Sequence, residues 1–559
     1  MKYLSFLLAF PILLHAEQGI LSSHKKQVFE TAKKIVRQMS DSEKAGQLLH
    51  FTIPGKTVTP AVAKKISKLK PGGIIFFANN IGNPREIKTL TTSLQLTMQK
   101  AQGLPLLIST DQEGGKVVRI TKGVTQFPSA MALGQSGNPN YSYAVGFLTS
   151  YQLKKLGINL LLAPSLDINN NPRNPVINTR SFGADSATVI RIGLAYERGA
   201  RRGGAIPVIK HFPGHGDTNV DSHKGLPVIE KKLQQLEQME LTPFRQAIAN
   251  GAQAVMSAHI IYPQLDKKYP ATLSPKVLRA ILRKKFGFNG IVMTDAMEMD
   301  AISKNYQNEN TAALAIKAGA DIILLVSWEN KPEAYLKMIV KAMQKGAFKV
   351  GKEDLLEQAV IRQIAVKIEN GLLHESYSYH KANSPILNSY IKRKAQVREK
   401  IYAKLAKIGV AKINTRVSRA SIRSYVKPFV PLQSTALKTT ALFRGSNASV
   451  AEYKRRKLTT FSYKKLASIL ASPKYKTLVL ETNGEKSVSK FSRLIKKYPK
   501  KKFVLLHSGN PFLEQLPKSS NSHVLFSFSP TLESKKALIH NLLNGQKGKK
   551  VPVAKLVFD

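Results

Sequence analysis

The 559-residue sequence predicts an α/β protein in which a closed (β/α)8 barrel of the TIM type is followed by a smaller α/β sandwich domain. Two patterns support this prediction. Between residues 46 and 328, eight short apolar runs alternate with segments whose apolar residues recur at helical spacing. Beyond a linker, four further apolar runs alternate with helical segments. An open doubly wound sheet is the alternative for the first part, but eight runs at such spacing favour closure.

The eight apolar runs are typical of buried parallel strands, because each is short and apolar on both faces. They lie at residues 46–53, 72–77, 104–110, 158–164, 205–211, 252–259, 290–295 and 320–326. The intervening segments predict helices, most clearly at 84–101 and 186–203. An amphipathic helical pattern over 331–373 predicts the end of the barrel.

Changes in composition divide the chain further. We expect the barrel to cover residues 24–373, a linker and basic helix to cover 374–412, and the C-terminal α/β sandwich domain to cover 413–559. The basic helix itself is predicted at 387–409. The second domain has predicted strands at 439–443, 476–481, 502–507 and 523–528, and predicted helices at 462–471 and 532–545. It lacks a GxGxxG or Walker signature, so no cofactor is predicted for it.

Residues 1–16, MKYLSFLLAFPILLHA, predict a signal peptide. One lysine precedes an apolar run that is too short to span a bilayer comfortably, and Ala16 follows it. The single basic residue, and Leu14 where a small residue is preferred, depart from the usual pattern. We expect export to the periplasm or the medium, and a cytoplasmic protein if the segment is not used. No other stretch predicts a transmembrane helix.

The chain is strongly basic and contains no cysteine. A formal net charge of +51 favours non-specific attraction to anionic polymers such as those of a cell wall. The lysines are spread along the chain, and no zinc finger, helix-turn-helix or RNA-binding motif occurs, so no specific nucleic-acid partner is predicted. The absence of cysteine excludes disulfides, thiolate metal sites, cysteine nucleophiles and a lipid anchor on an N-terminal cysteine.

In a parallel β/α barrel, residues at the carboxyl ends of the strands line the active site. Polar or aromatic residues occupy those positions after most of the predicted strands. They are Asp111, Asp167, Lys210, His211, His259, Asp295, Ser327 and Trp328, the only tryptophan. The pattern therefore predicts that these side chains converge on one rim.

The stretch KHFPGHGDTNVDSH at 210–223 follows the fifth predicted strand and is crowded with proton-handling groups. Asp221 lies two residues before His223, so its carboxylate can hydrogen-bond the imidazole, fix its tautomer and support its charged form. Asp295 ends the seventh predicted strand, which suits a carboxylate nucleophile. Taken singly, His223 could instead hold the loop through a backbone carbonyl, and Asp295 could cap the following helix.

Three histidines of this stretch, His211, His215 and His223, raise the alternative of a metal site. Their spacings of four and eight residues fall around a PGHG turn, which is a poor frame for metal ligands. We therefore predict no metal and no cofactor. The middle of the stretch, FPGHGDT, is interpreted as scaffold, and His215 is assigned no catalytic role.

These motifs together closely resemble those of glycoside hydrolase family 3, and within it the branch of β-N-acetylglucosaminidases (NagZ-type). The stretch 210–223, followed by GLP, carries the resemblance, because the β-glucosidase branch lacks the DSH element. Further matches are SDSEKAGQLL (40–49), STDQEGGKVVR (109–119), NPRNPVINTRSFG (171–183) and VMTDAMEM (292–299). GNPF (509–512) and NGQKGKKVPV (544–553) resemble parts of the second domain of the two-domain form.

The resemblance implies a retaining exo-β-N-acetylglucosaminidase that removes terminal β-linked GlcNAc from peptidoglycan fragments or chitooligosaccharides. Asp295 would be the nucleophile that forms a covalent glycosyl-enzyme, His223 would be the acid/base, and Asp221 would orient His223. The positions that would bind the terminal sugar are Asp111, Arg119, Arg180, Lys210 and His211. Because neighbouring side chains alternate along a strand, we expect the strand to bend between Lys210 and His211.

Other functions stay open. The nucleophile motif is TDAM where many members of the family have TDDL, and the signal peptide and second domain resemble the exported two-domain type. One alternative is a β-N-acetylglucosaminide phosphorylase or a broader β-glycosidase of the same family, since a neutral histidine repels phosphate less than a carboxylate would. An alternative of another class is a non-catalytic cell-wall-binding protein, against which the intact Asp221, His223 and Asp295 argue.

Overall fold

The computed structural model describes residues 13–373, 385–425, 440–443, 460–462, 465–482, 485–508 and 522–544. The first twelve residues of the predicted signal peptide, most of the predicted linker, and the motif at 509–512 lie outside the described residues. So does nearly all of the motif at 544–553. Within the described residues, we find no helix that combines the length and the apolar character needed to cross a membrane.

Eight parallel strands form the barrel, and each falls within one of the eight predicted runs except β7, which extends one residue beyond its run. They are β1 (Leu49–Phe51), β2 (Gly73–Phe76), β3 (Leu107–Thr110), β6 (Leu160–Leu161), β7 (Ile206–Phe212), β8 (Ala254–Ser257), β9 (Ile291–Met293) and β10 (Ile323–Leu324). The sheet order runs from β10 through β1 to β9, and a parallel bridge between Met293 and Ile322 joins its two ends. The predicted barrel is therefore confirmed.

The barrel strands are apolar on both faces because both faces are buried. In β8, Ala254 and Met256 point into the barrel interior, whereas Val255 between them packs in the layer beneath the helices. The same alternation holds in β9, where Met293 faces inward and Val292 outward. A continuous apolar run, rather than an alternating one, is therefore the pattern that these strands require.

Helices follow the strands on the outside of the barrel, and several begin at capping residues. Asn83 begins the helix after β2, since its side chain accepts bonds from the N–H groups of Arg85 and Glu86 while the Glu86 carboxylate accepts from the Asn83 N–H. The α-helices of this part are Leu13–Arg37, Asp41–Gln47, Pro60–Leu69, Pro84–Lys100, Ala130–Ser136, Pro139–Lys155, Ser186–Thr188, Leu194–Gly203, Leu233–Gln238, Leu241–Ala249, Asp300–Ser303, Thr311–Ala318, Lys331–Gln344 and Leu355–Glu369. This part also contains the 3-10 helices Ala78–Asn80, Asn178–Arg180 and Ala271–Leu273. Two segments, Val189–Gly193 and Lys276–Lys285, are π-helices.

Two small hairpins were not predicted. The first pairs β4 (Gln112–Gly114) with β5 (Val117–Val118), directly after β3. The second pairs β11 (Lys349–Val350) with β12 (Glu353–Asp354) and divides the region 331–373 into two helices. The predicted helical pattern over 331–373 therefore corresponds to two helices, Lys331–Gln344 and Leu355–Glu369. The positive φ of Gly351, 58°, is the turn geometry that ends helical periodicity there.

The C-terminal part contains a second α/β layer structure, as predicted. Its sheet has the order β13-β18-β17-β16-β14-β15, in which β13 alone runs antiparallel to its neighbour. The strands are β13 (Arg423–Tyr425), β14 (Thr440–Phe443), β15 (Thr460–Phe461), β16 (Thr477–Thr482), β17 (Lys502–His507) and β18 (Ser522–Phe526). The helices are Pro385–Ile408, Val410–Ala420, Leu466–Ala471, Glu485–Lys497 and Leu532–Asn544. The strands β13 and β15 and the helices Val410–Ala420 and Glu485–Lys497 were not predicted.

The second sheet is joined to the barrel through the short helix Ala130–Ser136. Ser129, which caps this helix, donates its hydroxyl to the backbone oxygen of Phe528 at 2.6 Å. Met131 and Ala132 pack in the same buried apolar cluster as Phe528. The C-terminal part therefore contacts the barrel directly behind the hairpin β4–β5.

Candidate active site

The hairpin β4–β5 brings two carboxylates and an arginine to the rim after β3. The Gln112 side chain accepts bonds from the N–H groups of Arg119 and Ile120 and donates to the Ile120 carbonyl, which folds the two strands together. Arg119 Nη2 then lies 3.3 Å from Asp111 Oδ2. Gly114 has a φ of 93°, and a Cβ there would lie 2.6 Å from the Pro128 carbonyl oxygen, so the turn requires glycine.

Lys210 and His211 both face the site from the end of β7. The pairing register of β7 with β8 shifts between Ile209 and Phe212, and the peptide bond between Lys210 and His211 is cis. The expected bend is therefore present. Lys210 is 2% exposed, and its Nζ lies 2.9 Å from Asp111 Oδ1 and 2.8 Å from Glu113 Oε1.

Arg180 closes this ion-pair cluster from the turn Asn178–Arg180. Its Nε and Nη2 donate to the two oxygens of Glu113 at 2.9 and 2.8 Å, the bidentate geometry of a strong guanidinium–carboxylate pair. Its Nη2 also lies 3.4 Å from His211 Nε2. Burial alone would raise the pKa of Glu113, but the charges of Arg180 and Lys210 hold it well below its usual range. Glu113 is therefore a permanent anion beneath two cations.

Asp167 holds the histidines of the site from below. It is fully buried, and its carboxylate accepts bonds from His211 Nδ1 at 2.6 Å, from the backbone N–H of His215 at 2.7 Å and from the Ser165 hydroxyl at 2.8 Å. Burial would raise the pKa of Asp167, but the contacts with His211 and His215 lower it well below its usual range. Asp167 therefore fixes the orientation of the His211 ring.

Asp295 follows β9 at the same rim. Its Oδ1 accepts the N–H of Ala296 at 2.8 Å. Burial would raise the pKa of Asp295, but the neighbouring His259 and His211, together with that N–H, lower it. The Asp295 carboxylate is therefore ionised at neutral pH, as a nucleophile must be.

The Asp221–His223 pair lies on the long loop after β7. Asp221 Oδ1 accepts bonds from both the backbone N–H and Nδ1 of His223, at 2.9 and 2.8 Å. The His223 side chain is 62% exposed, so its Nε2 edge is open to solvent. The predicted hydrogen bond between the two side chains is therefore present.

The structure brings the five predicted sugar-binding residues together, since Asp111, Arg119, Arg180, Lys210 and His211 form one connected polar network. It places Asp295 after β9 and Asp221 with His223 on the long loop after β7. Glu113, a member of the network, was not predicted as a site residue, although it stands in the noted motif at 109–119, where a carboxylate next to paired glycines was the available signal. Asp167 was predicted at the rim but was given no role there.

The histidines that suggested a metal site are engaged by protein groups. Both ring nitrogens of His215 have partners, with Nε2 2.9 Å from Ser222 Oγ and Nδ1 3.1 Å from Thr218 Oγ1. The His211 ring lies between Asp167 and Arg180. In the part of the chain that the structure describes, no group of three or more His, Cys, Asp or Glu side chains is arranged to hold a metal ion.

A comparison with family models matches residues 41–366, more than half of the chain, to the glycosyl hydrolase family 3 N-terminal domain. The chain belongs to glycosyl hydrolase family 3. The predicted family is therefore confirmed.

Beta-hexosaminidase A of Pseudoalteromonas piscicida is 35% identical over 355 residues, which cover 59% of this chain and 58% of that relative. The chain thus spans less than two thirds of that relative's length. A beta-hexosaminidase of Methylobacillus flagellatus is 33% identical over 290 residues, covering 51% of this chain and 81% of that relative.

A solved structure with both parts of the fold is a glycoside hydrolase family 3 beta-N-acetylglucosaminidase from Paenibacillus sp. str. FPU-7. It superposes with a TM-score of 0.77 at 29% sequence identity, covering 91% of this chain and 97% of that one. The predicted architecture, a TIM-type barrel with a second α/β domain, is thereby confirmed.

Proposed function

We propose that this protein is a retaining exo-β-N-acetylglucosaminidase that hydrolyses terminal β-linked GlcNAc from peptidoglycan fragments or chitooligosaccharides. Relatives that bear beta-hexosaminidase names support the hydrolysis of a hexosaminide. The observation that carries the proposal is a half-buried, ionised Asp295 at the same rim as the Asp221–His223 pair. The charges of Asp295 and His223 both influence the pKa of the buried His259, so the two groups act on one small region.

In the first step, an Asp295 oxygen attacks the anomeric carbon and the bond from that carbon to the leaving oxygen breaks. The bonding electrons go to the leaving oxygen, which takes the proton from Nε2 of protonated His223. The products are a glycosyl ester on Asp295, a neutral His223 and the free alcohol. Asp221, bonded to Nδ1, stabilises the imidazolium before the transfer and keeps Nε2 directed outward.

In the second step, Nε2 of neutral His223 takes a proton from water, whose oxygen attacks the anomeric carbon. The ester bond breaks and its electrons return to Asp295 as the carboxylate. Two displacements at one carbon give net retention of configuration. Both ionisation states of His223 are thus used once in each cycle, and the enzyme returns to its starting state.

The charged network beside Asp295 is suited to hold the terminal sugar. Asp111 can accept hydrogen bonds from sugar hydroxyls, and the Arg119, Arg180 and Lys210 cations can donate to sugar oxygens. Because Lys210 and Arg180 are already fixed by Glu113, little side-chain freedom remains to be lost when sugar binds. This arrangement favours one orientation of the sugar above the nucleophile.

The test is a panel of nitrophenyl glycosides assayed with and without phosphate. We expect turnover of nitrophenyl β-GlcNAc with β-GlcNAc as the first product by NMR, and losses of at least ~100-fold in kcat for His223→Ala and more for Asp295→Ala. Normal turnover by Asp295→Ala would overturn the mechanism. Accumulation of GlcNAc-1-phosphate in phosphate buffer would favour the phosphorylase alternative. Saccharide binding without turnover by the wild type would favour a non-catalytic binding protein.

We propose export as the localisation, on the pattern of residues 1–16. Mass spectrometry of the N-terminus, after expression in a host with a general secretion system, tests this proposal. A chain from the extracytoplasmic fraction that begins near residue 17 is expected. An uncleaved chain found only in the cytoplasm would contradict it.

We also propose that the basic helices Pro385–Ile408 and Val410–Ala420 attract anionic cell-wall polymers. They carry ten Lys or Arg residues and one acidic residue, Glu399. Their exposed cations include Lys400, Lys404 and Lys407. Cosedimentation with an anionic polymer should fall when these three lysines are replaced by Glu, and should weaken with salt. The loss should be larger than for the same replacements at the exposed Lys345, Lys349 and Lys352, in and just before the hairpin β11–β12. Equal losses would assign the attraction to the whole surface.

A further inference from the structure

Two loops carry different halves of the proposed chemistry. The loop after β6 ends at Arg180, which belongs to the proposed sugar-binding network, and the loop after β7 carries Asp221 and His223. His223 itself is exposed and bonded to Asp221, its neighbour on the same loop. Contacts of other residues must therefore hold the loop after β7, called the catalytic loop below, at the rim.

Asn174 ties the two loops together from a buried position. It is 1% exposed, and its Nδ2 donates to the carbonyl oxygens of His215 and Gly216 at 2.8 and 2.9 Å, and to Thr218 Oγ1 at 3.2 Å. Its Oδ1 accepts the N–H groups of Val176 and Ile177, at 2.9 and 2.7 Å, within its own loop. One side chain thus satisfies backbone groups on both loops.

His215 carries the connection on to the catalytic pair. Its ring is buried, and its Nε2 lies 2.9 Å from the hydroxyl of Ser222, the residue between Asp221 and His223. Burial lowers the pKa of His215 to about 4, so the ring is neutral and holds one proton. The neutral ring therefore bonds Ser222 Oγ through Nε2 and Thr218 Oγ1 through Nδ1, at 2.9 and 3.1 Å.

The backbone of the loop is confined at the same place. A Cβ on Gly216 would lie 1.6 Å from the Ile168 carbonyl oxygen, so this backbone packs directly on the chain after β6. His215 donates its own N–H to Asp167, which also holds His211. The contacts of His215 therefore connect the proposed sugar-binding network with the tip of the catalytic loop.

We propose that Asn174, His215 and Ser222 are positioning residues. Their hydrogen bonds hold the Asp221–His223 pair in the orientation that protonates the leaving oxygen of the bound sugar, and we call these three residues the positioning relay. The inference rests on the proposed function, because it assigns these residues to the orientation of its acid/base group. His215 is a positioning residue here, since its ring nitrogens are used within the protein. Loss of the relay should impair protonation of the leaving oxygen more than attack by Asp295, which stands on another strand.

Leaving groups of different basicity separate these two effects. A dinitrophenyl β-GlcNAc departs without protonation, whereas a phenyl β-GlcNAc needs it. For Ser222→Ala we expect kcat/KM on the phenyl glycoside to fall ~10- to 100-fold, and kcat/KM on the dinitrophenyl glycoside to stay within about threefold of the wild type. Asn174→Asp retains the oxygen that bonds Val176 and Ile177 but loses the donor to the catalytic loop. It should give the same selective loss.

The matched control is Asn171→Ala. Asn171 belongs to the same loop as Asn174 and bonds Asn219 of the catalytic loop at 2.8 Å, but this contact is exposed to solvent. It should therefore retain kcat/KM within about twofold on both glycosides, because water can replace its bond. Circular dichroism and Trp328 fluorescence verify that each variant is folded.

The outcomes distinguish the relay from the function on which it rests. An equal loss on both glycosides in folded Ser222→Ala and Asn174→Asp would overturn the positioning role while leaving the glycosidase intact. Wild-type kcat/KM values on both glycosides in these two variants would overturn the positioning role as well. A wild type that releases no GlcNAc from either glycoside would overturn the proposed function itself.

Discussion

Replacement of Glu113 by glutamine tests how the charged network is held together. The Glu113 carboxylate accepts two bonds from Arg180 and one from Lys210, at 2.8 to 2.9 Å. Glutamine has nearly the same shape but no charge, and its amide group would meet a cationic donor. The variant therefore leaves the buried Lys210 and the largely buried Arg180 with less compensating negative charge, without creating a cavity.

The expected cost follows from that geometry. Removing one partner of a buried, hydrogen-bonded ion pair destabilises a protein by about 3 to 5 kcal/mol, because the remaining charge stays buried. With a urea dependence of about 3 kcal/mol per molar, the unfolding midpoint should fall by roughly 1 to 1.7 M. Since Arg180 and Lys210 lose their fixed orientation, KM for nitrophenyl β-GlcNAc should rise as well.

The loss of stability in Glu113→Gln should become smaller as the pH falls. The pKa of Glu113 lies below its ordinary value of 4.5 in the folded protein, so the unfolded chain binds the proton more readily. The stabilisation is therefore complete above that ordinary value and is lost as the pH falls toward the folded-state pKa. The difference between wild type and Glu113→Gln should accordingly narrow in acid.

Trp328 provides the assay, because it is the only tryptophan and packs on Phe51 of β1 with ring centroids 6.3 Å apart. Its fluorescence during urea unfolding reports on the barrel. Glu353→Gln, at an exposed position in the hairpin β11–β12, is the matched control and should unfold with the wild type. A Glu113→Gln midpoint within about 0.2 M of the wild type would refute the reasoning.

Two further predictions concern the supports of the barrel. Lys367 is buried, donates to Gln47 Oε1 at 2.7 Å, and has a pKa lowered by burial to about 7. The unfolded chain therefore binds more protons than the folded protein between about pH 7 and 10, so the free energy of unfolding should rise with pH in this range. Lys367→Met should flatten this rise in urea titrations at several pH values. An unchanged pH dependence in the variant would contradict the argument. Tyr402 stacks on Tyr151 with centroids 4.0 Å apart. Tyr402→Ala should loosen the helix Pro385–Ile408 by about 1 kcal/mol and speed tryptic cleavage within it, and a cleavage rate equal to that of the wild type would count against a docking role.

Much of the site could be predicted because several of its residues lie close together in the sequence or at the ends of strands. Asp221 and His223 are two residues apart, so their hydrogen bond needs only a loop. Asp111, Lys210 and Asp295 stand at or directly after the ends of apolar runs whose parallel pairing brings strand ends to one rim. The bend between Lys210 and His211 was also predictable, because a regular strand could not direct both side chains into the site.

Contacts between distant segments could not be predicted in this way. The pair of Glu113 with Arg180 joins residues 67 positions apart, and Ser129 meets Phe528 across 399 positions. Nothing in the local sequence of either partner specifies the other. The hairpin β11–β12 inside the helical pattern of 331–373 was also not predicted, because each of its strands is only two residues long.

The sequence by itself determined the barrel, the family and the catalytic candidates, because strand burial, helix periodicity and a compact motif are local properties. Only the tertiary structure decided what His215 does. As a residue in a PGHG turn it had no evident task, yet the close packing of two loops turns its ring toward Ser222 and its N–H toward Asp167. The physical reason is burial: inside the protein each polar group needs a partner, and the fold selects which one is within reach.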